Sequence, residues 1–171
     1  MRELIVRWYQ LGLFSPIFRT HGCRKSPDPN PSPPDDPCVH GTHSCGGNEV
    51  WSYGPETQII LEEMIRLRLK LKPYIRDLAA NVTTRGVPTA RPLWWEFPKD
   101  DAVLDINDQY LLGSDLLVAP VVVQGARNRS VYFPRGARWR NFFDSNAEPV
   151  SGGVRVIVDA PLDRIPVYWR V

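Results

Sequence analysis

PETQIILEEMIRLRLKLKPYIRDLAA, residues 55–80, is the clearest structural signal in the sequence. Its apolar residues recur every three or four positions, the spacing that places side chains on one face of an α-helix. These residues are Ile60, Met64, Leu67, Leu71, Ile75 and Leu78. Pro55 suits the first helical turn, and Glu62 stands four residues before Arg66, a pairing worth ~0.2–0.5 kcal/mol. Pro73 lies inside the run and predicts a bend, so the stretch predicts one long kinked helix.

The sequence before this helix predicts a shorter helix and then a long loop. Residues 1–13 carry apolar side chains at helical spacing, with Gly12 near the natural end; these side chains are Leu4, Ile5, Trp8 and Leu11. A loop follows to about Tyr53, and its middle, Ser26 to Cys38, holds six prolines. Proline lacks a backbone N–H, and the Asp, Asn and Ser between the prolines add no apolar surface. This segment therefore predicts an extended or disordered insertion.

The sequence after the long helix predicts short strands. Each candidate is a run of strand-favouring residues bounded by turn residues: Thr89–Glu96, Asp115–Val123, Arg129–Phe133, Arg138–Phe143, Val154–Val158 and Ile165–Val171. In the fifth run valines alternate with Arg155 and Ile157, which predicts one drier face. The chain is thus helical with one strand and then all β, which indicates two domains that join between Asp108 and Gly113. The helical part would leave apolar faces uncovered, which indicates a truncated first domain.

Composition excludes several functional classes. Hydrophobic residues make up 43% and charged residues 23% of the 171 residues, as in a globular protein. The net charge of +2 is scattered, so no nucleic-acid partner is expected, and no apolar run approaches the ~20 residues that span a membrane. The first ten residues include Glu3 and Arg7 and are not a signal peptide. The sequons at Asn81 and Asn128 favour the secretory pathway only weakly, so the compartment stays undetermined.

Six stretches resemble the C-terminal third of family 31 glycoside hydrolases, in the same order. They are ELIVRWYQLGLFSPIFRTHG (3–22), NEVWSYG (48–54), IRLRLKLKPYIRDLA (65–79), GVPTARPLWWEFPKD (86–100), DQYLLGSDLLVAPVV (108–122) and APLDRIPVYWR (160–170). The resemblance implies a fold that is α/β plus all-β: the C-terminal part of a (β/α)8 barrel followed by a β-sandwich domain. The barrel portion is expected over residues 1–107, with the Pro-rich insertion at about 23–47, and the β-sandwich domain over 108–171. The fourth stretch is expected to be the last barrel strand and its exit.

The resemblance implies a retaining α-glycosidase that hydrolyses the α-O-glycosidic bonds of an α-glucoside or α-xyloside, with no cofactor and no metal. Such chemistry needs two carboxyl groups ~5–5.5 Å apart. In the family both are aspartates on earlier barrel strands, and no segment here resembles those motifs. No catalytic residue is therefore assigned, and structural roles are expected for the acidic side chains considered: Glu96, Asp100, Asp101, Asp108, Asp115 and Asp163.

One histidine carries a functional prediction from the resemblance. His21 stands in the family's R-x-H loop, whose histidine hydrogen-bonds sugar hydroxyls in the subsite of the cleaved residue. An imidazole both donates and accepts hydrogen bonds, which suits a pair of ring hydroxyls. Arg19 is expected to support the loop and Phe18 to pack behind it. The plainer alternative is a loop histidine that only caps or packs.

The segment after His21 departs from the family. All three cysteines and all three histidines lie between His21 and Cys45. They could bind zinc, although their spacing matches no common zinc signature, or Cys23 and Cys38 could form a disulfide. A segment with no role is the third possibility, and no metal site is predicted.

Three functions stay open at this point. The first is a fragment of an α-glycosidase that lacks the catalytic aspartates and is inactive alone. The second is a non-catalytic carbohydrate-binding or scaffold remnant of the same family. The third is a zinc-dependent interaction module built on the Cys/His segment.

Overall fold

A computed structural model of the chain describes residues 2–21, 24–25 and 45–171. The proline-rich insertion and most of the Cys/His segment lie outside the described residues. The helices are α1 (Arg2–Leu13), α2 (Pro55–Arg85) and α3 (Leu93–Glu96), with 3-10 turns at Val50–Tyr53 and Asp101–Val103. The strands are β1 (Arg24–Lys25), β2 (Cys45–Gly46), β3 (Ala90–Arg91), β4 (Tyr110–Leu112), β5 (Leu116–Val118), β6 (Asn128–Phe133), β7 (Arg138–Asn141), β8 (Val150–Ser151), β9 (Val154–Asp159) and β10 (Val167–Arg170).

The long helix is confirmed, and α2 continues past the predicted end to Arg85. Its last turn is closed by Gly86, which adopts a left-handed conformation (φ 66°) and donates its N–H to a carbonyl of that turn. Arg66 lies 3.3 Å from Glu62, which confirms the predicted pairing on an exposed face. Pro73 lies within the helix, and the bend there stays a prediction.

Helix α1 is also confirmed. The side chains that α1 buries belong to Val6, Tyr9, Gln10 and Leu13. Of the apolar residues whose spacing predicted this helix, Leu4 and Trp8 are 56% and 61% exposed. The helix is apolar on two sides, and α2 packs against only one of them, so periodicity alone could not identify the covered side.

The β part forms an antiparallel sheet of six strands in the order β3-β4-β5-β10-β7-β8, with a separate two-stranded ladder of β6 and β9. Thr89–Glu96 was expected to be one strand that ends a parallel barrel. Only Ala90 and Arg91 are in strand conformation, and they pair antiparallel with β4. Pro92 has no N–H for a ladder, and α3 begins directly after it. The predicted domain division at residue 107 stays a prediction.

The central strands of the six-stranded sheet are buried on both faces. Leu112, Leu116, Val118 and Val167 belong to the core that includes α1 and α2. Their neighbours along the strands, Leu111, Leu117 and Tyr168, point the other way. They share a second core with Val131 and Phe133 of the β6–β9 ladder. Burial on both faces explains why β5 is apolar throughout, and why β10 begins with three residues that are apolar or aromatic, rather than alternating with polar residues. In β9, by contrast, the predicted dry face is limited to Val158, which alone among its valines is half-buried.

Two polar side chains of α1 fasten it to the loops of the β part. The Arg7 guanidinium donates to the carbonyls of Ala126 (3.0 Å), Ala160 (2.9 Å) and Pro161 (3.1 Å). The fully buried Gln10 amide donates to the carbonyl of Leu162 at 2.8 Å. These bonds satisfy loop carbonyls with side-chain donors, and they fix where α1 stands against the sheet. In the described part of the chain no helix has the length and apolar character to cross a bilayer.

Asp100 fastens the β6–β7 turn to the segment after α3. Its buried carboxylate accepts hydrogen bonds from the Tyr132 hydroxyl (2.8 Å) and the Arg135 backbone N–H (2.7 Å). Burial alone would raise the pKa of Asp100, but these bonds and one from the Ala102 N–H outweigh it and lower that pKa below its ordinary value.

Replacing Asp100 with Asn should lower the free energy of unfolding by about 1–3 kcal/mol at neutral pH, because one acceptor becomes a donor that faces other donors. The folded-state pKa lies below the unfolded-state value of ~3.9, so the carboxylate contributes its full stability above that value. This contribution is lost as the pH falls through the folded-state pKa. Urea unfolding from pH 7 towards pH 2 measures both effects. A gap between wild type and Asp100→Asn that stays constant to the acid limit would contradict this account.

Candidate functional site

A cleft of about 360 Å³ opens between α1 and the segment that follows it, with Asn48 and Tyr53 on its other side. The three site residues predicted from the sequence, Phe18, Arg19 and His21, all line this cleft. The structure thus brings them together in one concave surface. Their roles toward a ligand stay predictions.

The chain reverses direction directly after α1. Ser15 donates its backbone N–H to the Gly12 carbonyl (3.0 Å) and its hydroxyl to the Leu11 carbonyl (2.8 Å). Pro16 comes next, and a proline cannot continue the helical hydrogen bonds. The following residues therefore run back beside α1, where Phe18 meets the helix surface.

Phe18 is the anchor of the returning segment. Its ring meets the Tyr9 ring edge to face, with centroids 5.2 Å apart and an interplanar angle of 88°. Gly12 permits this contact, since a Cβ at that position would lie 2.7 Å from the Phe18 ring. Burial raises the pKa of Tyr9, and hydrogen bonding with Thr20 opposes that effect. Phe18 therefore packs against α1, and its supporting role behind the His21 loop stays a prediction.

The residues after Phe18 present polar groups to the open side of the cleft. Arg19, Thr20 and His21 are all exposed. Trp8 projects from α1 beside them with 61% of its surface exposed. An exposed indole next to hydrogen-bonding groups is a typical surface for a sugar, whose ring has an apolar face and polar edges. In the sequence Trp8 served only as one of the apolar residues that predict α1, and no ligand role was predicted for it.

The opposite wall comes from the segment before α2. Buried Tyr53 donates its hydroxyl to the side-chain oxygen of Asn48 at 3.1 Å, which fixes the amide at the edge of the cleft. Both residues belong to the NEVWSYG stretch, and that stretch was the only sequence signal for this wall.

Three of the six acidic side chains considered above have structural partners. Asp100 accepts the hydrogen bonds described above. Glu96 forms a largely buried ion pair with Arg91, and Asp108 contacts Arg129 at 2.7 Å. Among the described residues that line the cleft, none is Asp or Glu. Within residues 2–21, 24–25 and 45–171 no group of three His, Cys, Asp or Glu side chains could hold a metal ion. The described cleft therefore has the chemistry to bind a polyhydroxy ligand and lacks a carboxylate pair.

Two family models together match most of the chain. The model of the glycosyl hydrolases family 31 TIM-barrel domain matches residues 1–78, and that of the glycosyl hydrolase family 31 C-terminal domain matches residues 86–171. Alpha-glucosidase 2 of Bacillus thermoamyloliquefaciens is 30% identical over 98% of this chain and 19% of its own length. An alpha-xylosidase of Saccharolobus solfataricus is 32% identical over 98% of this chain and 20% of its own length.

A solved structure gives the same match in three dimensions. The crystal structure of a family 31 alpha-xylosidase from a soil metagenome, complexed with xylose, superposes with a TM-score of 0.86 at 36% identity. The superposition covers 99% of this chain and 25% of that one. The chain spans between 16% and 20% of the length of the curated relatives it matches.

The contact between Gly12 and Phe18 predicts the sign of the stability change that Gly12→Ala causes. Changing a helical Gly to Ala ordinarily stabilises by ~1 kcal/mol. Here the added methyl group would displace the Phe18 ring, so Gly12→Ala should be neutral or destabilise by up to ~2 kcal/mol. In a Phe18→Ala background the same change should become stabilising.

Chemical unfolding of the four variants in this double-mutant cycle measures the coupling energy, expected at ~1–3 kcal/mol. Equal effects of Gly12→Ala in both backgrounds would show that the ring does not pack on α1 in solution.

Proposed function

The chain belongs to glycoside hydrolase family 31, and we propose that it is the C-terminal part of a retaining α-glycosidase acting on α-glucosides or α-xylosides. The observation that carries the proposal is the cleft beside α1. It gathers an exposed imidazole, a guanidinium, a hydroxyl and an indole on a segment that the helix holds in place. These groups suit a sugar at the non-reducing end of a substrate.

We propose that α1, the returning segment and α2 complete the last part of a (β/α)8 barrel. In such a barrel a strand precedes each helix and another follows it, and the helices cover the strands. Leu4 of α1, which is 56% exposed, would then pack against the remaining strands. The two packed sheets of the β part would form the β-sandwich domain that follows the barrel.

In this proposal His21 binds substrate and does not perform the displacement steps. Retaining hydrolysis proceeds through a glycosyl-enzyme intermediate, with one carboxylate as nucleophile and the other carboxyl group as acid and then base. These groups would come from earlier barrel strands. The imidazole would hydrogen-bond hydroxyls of the sugar ring and keep the anomeric carbon in line with the nucleophile, and such bonds strengthen as the transition state forms.

A second function has one observation in its favour. The described cleft lining contains no carboxylate, so by itself the chain fits a carbohydrate-binding or scaffold protein as well as it fits part of an enzyme. The two functions differ in whether a cleaved product ever forms, which separates them experimentally.

The first test measures His21 in one polypeptide that joins this chain to the aspartate-bearing part of the barrel. His21→Ala should lower kcat/KM for an aryl α-glucoside or α-xyloside about fivefold or more, ~1 kcal/mol, because a hydrogen bond to the sugar is lost. His21→Gln should lose less, since an amide also donates and accepts. Leu104→Ala, at an exposed position outside the cleft, is the matched control. A change within twofold for His21→Ala would remove the sugar-contact role.

The second test uses the chain alone. We expect no hydrolysis of either aryl α-glycoside above the rate of the buffer, because the described cleft has no carboxylate pair. Weak binding of glucose or xylose, followed by saturation-transfer NMR, should persist if the cleft is preformed. Turnover by the chain alone would contradict the proposed division of labour.

A further inference from the structure

The course of the segment after α1 is set by one side chain of α2. The Arg68 guanidinium donates hydrogen bonds to the carbonyls of Leu13 (2.7 Å), Ser15 (2.6 Å) and Pro16 (2.9 Å). Its central carbon also lies 5.9 Å from the centroid of the Phe18 ring. One planar cation therefore holds three carbonyls of the turn and covers the aromatic ring that anchors the returning segment.

The remaining carbonyl of this turn, that of Phe14, accepts a hydrogen bond from a residue of the sheet. The Tyr110 hydroxyl donates to the Phe14 carbonyl at 3.0 Å. Four successive carbonyls, those of residues 13–16, thus accept hydrogen bonds from side chains that lie far away in sequence. A helix end leaves its last carbonyls without partners inside the helix, and a cation there also opposes the negative end of the helix dipole.

Only a guanidinium fits the position of Arg68. Its donors form a rigid fork that reaches several acceptors in one plane, whereas a Lys ammonium is a single point on a flexible stem. Arg66 lies two residues earlier on the same helix. Its exposed side chain contacts only Glu62 and Glu63 among the described residues. Arg68 therefore holds backbone carbonyls of the turn after α1, whereas Arg66 holds only carboxylates of its own helix.

We propose that Arg68 is a positioning residue for sugar binding: it fixes residues 13–16 so that Phe18 seats on α1 and His21 reaches the cleft. Tyr110 assists from the sheet. The inference rests on the proposed function of His21 for its effect on activity, and it rests on geometry alone for its effect on the segment. These two effects are measured separately.

The structural effect is measured by NMR on the full 171-residue chain. Arg68→Met should abolish the nuclear Overhauser effects between the Phe18 and Tyr9 rings, and order parameters at residues 17–21 should fall from about 0.85 to below about 0.6. Arg68→Lys should show the same changes to a smaller degree, and it serves if the Met variant does not fold. Tyr110→Phe, which removes only the hydroxyl, should loosen the segment less than Arg68→Met. Arg66→Met should match wild type. Intact ring contacts in a folded Arg68 variant would overturn the proposal.

The functional effect is measured in the joined polypeptide that carries the catalytic aspartates. Arg68→Met should lower kcat/KM by about the same factor as His21→Ala. The double variant should lose no more than His21→Ala alone, because both changes remove the same contact between His21 and the sugar. Losses that multiply would show that Arg68 does not act through His21. If His21→Ala has no effect while Arg68→Met still frees the segment, the proposed function fails and the positioning role stands.

Discussion

The burial of both faces of the six-stranded sheet is the constraint on which the rest of the molecule depends. Because the buried residues of β5 and of the start of β10 face both sides of the sheet, the helices must cover one face and the β6–β9 ladder the other. The covering helices then determine where the cleft opens. Arg7 and Gln10 lock α1 to loops of the β part, and Tyr110 extends from the sheet to the turn after α1. The candidate site is therefore built outward from the sheet, one polar contact at a time.

The cleft combines a rigid base with an open rim. Phe18 is held between Tyr9 and Arg68, while the residues beyond it expose their polar groups. A site that binds a hydroxylated ligand benefits from this arrangement, since polar side chains already held in place lose less conformational freedom when the ligand arrives. The same arrangement explains why the described residues of this region look incomplete as a catalyst. In the proposed function they contribute recognition, and the reacting carboxyl groups would come from earlier strands of the barrel.

Much of this fold could be predicted from local sequence, and the exceptions have physical causes. The period of α2 and the pairing of Glu62 with Arg66 depend only on residues within a few turns, so both were predicted correctly. The covered side of α1 could not be predicted, because Leu4 and Trp8 follow the same helical spacing as the residues that are buried. Strand β4 was missed because it is very short. The role of Arg68 was invisible because its acceptors are backbone carbonyls far upstream, and any residue supplies a carbonyl.

We propose that His21 forms a hydrogen bond with a sugar hydroxyl, and a crystal structure tests this contact most directly. The joined polypeptide would be crystallised with glucose or xylose bound, with its nucleophilic aspartate replaced to prevent turnover. We expect an imidazole nitrogen of His21 about 3 Å from a ring hydroxyl oxygen, within hydrogen-bonding distance. We also expect Arg68 to hold the carbonyls of Leu13, Ser15 and Pro16 as it does here. A sugar bound beyond hydrogen-bonding reach of His21, or in a different cleft, would contradict the account.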